Sequence, residues 1–69
     1  MKHIILNVEI MDAEAWELAQ FIKRLRFDQC YELTDAWQSR SERQEQAYRM
    51  LHVLGHVTDA LKLAGYAPR

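Results

Sequence analysis

The sequence predicts an α+β fold, mostly α, with a short N-terminal strand followed by two main helices at about 13–26 and 41–64. Three observations carry this. Residues 3–10 alternate apolar and polar with period two; a heptad-like apolar seam runs from Ala47 to Ala64; and only 2 Gly and 1 Pro interrupt 69 residues that are 49% hydrophobic. A chain this short forms one domain, residues 1–69. Its core alone supplies only about 3–5 kcal/mol. Cys30 is the single cysteine, so an internal disulfide is excluded and the remaining aids are a metal, a partner chain or close helix packing.

In the N-terminal run, Ile4, Leu6, Val8 and Ile10 share one face, opposed by His3, Ile5, Asn7 and Glu9. β-Branched residues dominate, as strands prefer. Asp12 then stands where an N-cap belongs. The first helix follows from the stripe Ala15, Leu18, Ile22 and Leu25, with Glu14 and Glu17 near its start and Lys23, Arg24 and Arg26 near its end, complementing the helix dipole. Residues 27–38 lack a clean period; they read as a connection with one or two helical turns that packs Phe27, Tyr31, Leu33 and Trp37 on the core.

Two overlapping capping boxes, Ser39–Glu42 and Ser41–Gln44, open the second main helix. Ala47, Met50, Leu54, Val57, Leu61 and Ala64 form its seam. Gly65 occupies the left-handed C′ position, Tyr66 can fold back on Leu61, and Pro68 bars continuation.

A lone strand cannot satisfy its own amides, and no second strand-like run is available. The expectation is therefore a homodimer paired through Ile4, Leu6, Val8 and Ile10, resembling a ribbon-helix-helix protein. Its groove-facing residues would include His3 and Asn7, but Glu9 and a net charge of −1 disfavour a polyanion.

No phosphate-cradling loop, nucleophilic triad or carboxylate pair can be assembled, so no enzyme activity and no cofactor are expected. His52, His56 and Asp59 fall at i, i+4, i+7, a spacing that can hold zinc. Val53 replaces the Glu that a hydrolytic zinc helix carries after its first His. The plainer reading is a polar flank beside the seam, and no metal is assigned. Cys30 reads as a buried structural thiol. Trp16, Trp37 and Tyr48, with Lys23, Arg24 and Arg26, are the candidate partner contacts, since aromatic and Arg side chains dominate binding hot spots. Arg40, Arg43 and Arg49 extend the basic set. With no export signal, no apolar run long enough for a membrane and one unpaired thiol, the expected location is the cytoplasm.

The segments Ala15–Arg24, Phe27 with Tyr31, Ala47–Met50 and the closing Ala64-Gly65-Tyr66-Ala67-Pro68-Arg69 together resemble a family of small uncharacterised proteins of proteobacterial genomes, prophages and plasmids. The chain departs from that pattern in Arg26, where a glycine is expected, and in a longer connector around 34–46. The resemblance brings no catalytic residues. It implies a mobile-element accessory protein that binds a macromolecular partner, such as an anti-CRISPR or other anti-defence inhibitor. The alternative is a ribbon-helix-helix transcriptional regulator.

Overall fold

The computed structural model describes residues 2–67, which form three helices in the order α1 (Asp12–Arg24), α2 (Phe27–Glu32) and α3 (Arg40–Leu63). No strand forms among the described residues, so the fold is helical and the predicted α+β class is overturned. Ile4, Leu6, Val8 and Ile10 lie instead in an arm without regular structure that precedes α1. The reason is the one the pattern itself raised: an alternating face is not a strand until another edge takes up its amides. The ribbon that a ribbon-helix-helix dimer requires is therefore missing, and with it the placement of His3 and Asn7 as base-reading residues.

Local chemistry sets each helix boundary. At α1 the N-cap is Met11, not Asp12: the Met11 amide donates to Glu14 Oε1 at 2.8 Å, and Asp12 becomes the first helical residue. The helix stops at Arg24, two residues early, where Leu25 turns extended. The connector does contain helix, as expected, with Arg26 as the cap of α2 and its amide held by Gln29 Oε1 at 3.0 Å. For α3 the first of the two overlapping boxes is used, since Ser39 Oγ accepts from the Glu42 amide at 3.2 Å.

The far end of α3 closes as a complete Schellman motif. Gly65 takes φ +98°, its amide donates to the Lys62 carbonyl at 3.0 Å, and the Tyr66 amide donates to the Leu61 carbonyl at 2.8 Å. Pro68, expected to bar continuation, lies outside the described residues.

Both short helices lie on α3. Ala15 and Ala19 of α1 pack against Leu61, with Leu18, Ile22, Val57 and Tyr66 around them, while Cys30 and Ala47 are buried along α2 and α3. Cys30 is the largest side chain fully buried, matching its reading as a structural thiol. Small residues bring the helices close but withdraw little apolar surface from water. The molecule measures 39 × 29 × 15 Å, a flattened outline.

Two substitutions test these termini. Ser39→Ala removes the cap acceptor and should cost about 1 kcal/mol. Gly65→Ala should cost about 1–2 kcal/mol from left-handed strain alone, because a Cβ there meets nothing within 4 Å. Urea denaturation monitored by circular dichroism measures both.

Candidate functional site: an open apolar groove

The arm, α1 and α3 enclose an open groove of about 760 Å³. Leu6, Val8 and Ile10 line it from the arm, Ala15 and Leu18 from α1, and Val57, Ala60, Leu61 and Ala64 from α3, with Tyr66 at one side. Glu9 joins Leu6, Val8 and Ile10 in the lining and Ile4 does not, so the period-two pattern survives only in part, and the arm side of the groove carries one carboxylate. Along α3 the lining follows i, i+3, i+4, i+7, a continuous helical stripe. Its two alanines, Ala60 and Ala64, are exposed, leaving a shallow track along which another backbone can approach.

One end of the groove is fastened by a clasp that sequence pattern alone did not foresee. Tyr66 Oη donates to Asp12 Oδ1 at 2.5 Å, and its ring meets Trp16 edge-on at a centroid distance of 5.0 Å. The start of α1 and the turn after α3 are thereby joined. This hydrogen bond to Asp12 is the main cause that raises the Tyr66 phenol above its ordinary value of 10.0, helped by desolvation and the Asp12 charge. Asp12, read from sequence as a cap, is engaged in this long-range contact.

The candidate contact residues are dispersed. Trp16 is half-buried in the clasp, whereas Trp37 is 80% exposed in the turn between α2 and α3. Tyr48 is largely exposed, with one face on Phe27 at a centroid distance of 4.9 Å. Lys23 and Arg24 end α1 and Arg26 begins α2, so these three share the exposed corner between the helices.

Arg43 leaves the proposed basic surface altogether. Its Nε donates to Thr34 Oγ1 at 2.8 Å, its Nη2 donates to the Tyr31 carbonyl at 3.2 Å, and its guanidinium lies 4.4 Å over the Tyr31 ring. Thr34 Oγ1 in turn donates to the Tyr31 carbonyl at 2.6 Å. The Tyr31 carbonyl in the last turn of α2 thus accepts from α3 as well as from Thr34. Gln46 binds the following turn similarly, through the Asp35 amide and carboxylate, both at 3.2 Å, and the Gln38 side chain. These contacts span 8 to 12 residues and carry no local periodic signal.

The architecture is that of a small helical slab with an apolar groove and dispersed aromatic and basic side chains. The chain belongs to the family of unknown function DUF7706, whose model matches residues 1–69. That agrees with the resemblance to an uncharacterised family; prophage, plasmid and anti-CRISPR associations are not part of the match. No curated protein and no solved structure matches the chain. Among the described residues, no helix is long and apolar enough to cross a membrane.

The clasp predicts a pH signature. A phenol whose folded value is raised stabilises the fold below its unfolded value of about 10, and that stabilisation is lost as pH rises through the folded value. Urea midpoints of the native protein and Tyr66→Phe should therefore differ by a constant amount below pH 10 and converge at higher pH.

Proposed function

We propose that this is a non-enzymatic, homodimeric binding protein. A second copy covers the apolar groove, and the exposed aromatic and basic side chains outside it meet a further macromolecular partner. The observation that carries this reading is an excess of surface. A compact protein of 8.2 kDa exposes about 4,500 Å², yet this chain exposes 6151 Å². Its radius of gyration is 13.8 Å, against about 11 Å for a compact chain of this length. The difference in area is well above the roughly 800 Å² that each partner contributes to a standard interface.

A second copy suits the groove for three reasons. The net charge of −1 leaves little repulsion between copies. The exposed Ala60 and Ala64 permit close helix approach, while Leu6 and Val8 supply larger apolar side chains to fill the facing surface. Acidic residues in the first turn of α1 and basic ones in its last turn also place unlike charges together when two copies meet antiparallel about a two-fold axis. This association joins helix faces and needs no β-ribbon.

The further partner is proposed to be a protein, met through Trp37, Tyr48 and the Lys23, Arg24 and Arg26 corner. The mobile-element setting, with an anti-CRISPR or other anti-defence inhibitor as its sharpest form, rests on the sequence resemblance alone. Affinity purification from the native host, followed by mass spectrometry, identifies the target.

Light scattering on a size-exclusion column at micromolar concentration should return twice 8.2 kDa. Ala60→Glu places a charge in the groove from a residue that is exposed, so it should halve the mass while leaving helical circular dichroism intact. A native protein that elutes at 8.2 kDa at every concentration overturns the dimer.

A further inference from the structure

His52 and His56 occupy successive turns of α3, and both are exposed. Their Nε2 atoms are 3.2 Å apart, with ring centroids at 4.7 Å and planes at 87°. Gly55, Thr58 and Asp59 complete a shallow hollow around them. Two imidazoles on one ion, each at about 2.0–2.1 Å, stand about 3.3 Å apart at a tetrahedral angle and about 2.9 Å apart at a right angle. The observed separation falls between these limits. In the ion-free protein this contact is a hydrogen bond, one Nε2 donating and the other accepting; a divalent ion would displace that proton and take both nitrogens at nearly the same separation.

We propose that His52 and His56 form a two-imidazole chelate for a late first-row divalent cation, of the class of Zn²⁺ or Ni²⁺. Among the described residues, no cluster of three or more His, Cys, Asp and Glu side chains has ligating geometry, so Asp59 does not complete a closed site. The remaining coordination positions belong to water or to an external donor, which makes this an open binding site. Imidazole nitrogen selects this class over Mg²⁺ and Ca²⁺, which take oxygen donors. The α3 turn carrying both ligands is fixed only in the folded chain, so the ion favours the native state by linkage.

Isothermal titration of the untagged protein with ZnCl₂ and NiCl₂ tests this, in a His3→Gln background so that the third histidine contributes nothing. The expected result is one ion per chain, a melting temperature that rises with added Zn²⁺, and no response to MgCl₂. His52→Gln and His56→Gln should each abolish both the binding and the thermal shift while preserving helical circular dichroism, because one imidazole is no chelate. Absence of Zn²⁺ and Ni²⁺ binding, or binding that survives either substitution, overturns the proposal.

Discussion

Among the described residues, both helix–helix contacts are made on a single helix, α3. α3 receives α1 along its C-terminal half and α2 along its N-terminal half, so the chain is one layer of helices with α3 as its spine. Domains ordinarily close their apolar faces by stacking two layers. Here no second layer forms among the described residues. The consequences are a slab 15 Å thick, a core whose largest fully buried side chain is Cys30, and an apolar groove open to solvent.

The polar contacts answer the same constraint. With so little apolar burial, α2 is secured through Arg43, which reaches the Thr34 hydroxyl and the Tyr31 carbonyl, and the following turn through Gln46. At the other end, the Schellman turn at Gly65 aims Tyr66 back at Trp16 and Asp12. These hydrogen bonds fix where the helices lie, while each contributes only modestly to net stability. The arrangement defines a shape well and stabilises it thinly.

Much of this was legible in the sequence. The seam predicted from Ala47 to Ala64, buried or half-buried at all but the exposed Ala64, the Ser39 cap, the Gly65 stop, the burial of Cys30 and the helical turns in the connector all rest on local chemistry or 3.6-residue periodicity. The strand was not legible because alternation reports a face and not a pairing; Leu6, Val8 and Ile10 do turn together toward a groove, but Glu9 lines it with them. The role of Arg43 is not legible because charge in sequence does not reveal a partner nine residues away. The proximity of Asp12 and Tyr66, 54 positions apart, is a property of how α1 and α3 cross. For His52 and His56, spacing alone gave only adjacency, and the 3.2 Å separation had to come from the side-chain rotamers.

The central claim is that the fold is completed by a second copy laid over the groove, which ties stability to concentration. Urea unfolding followed by circular dichroism across a hundredfold range of protein concentration tests it most directly. The account predicts a midpoint that climbs steadily as the protein is concentrated. A midpoint that stays fixed across the whole range would mean that the isolated slab is the complete folding unit.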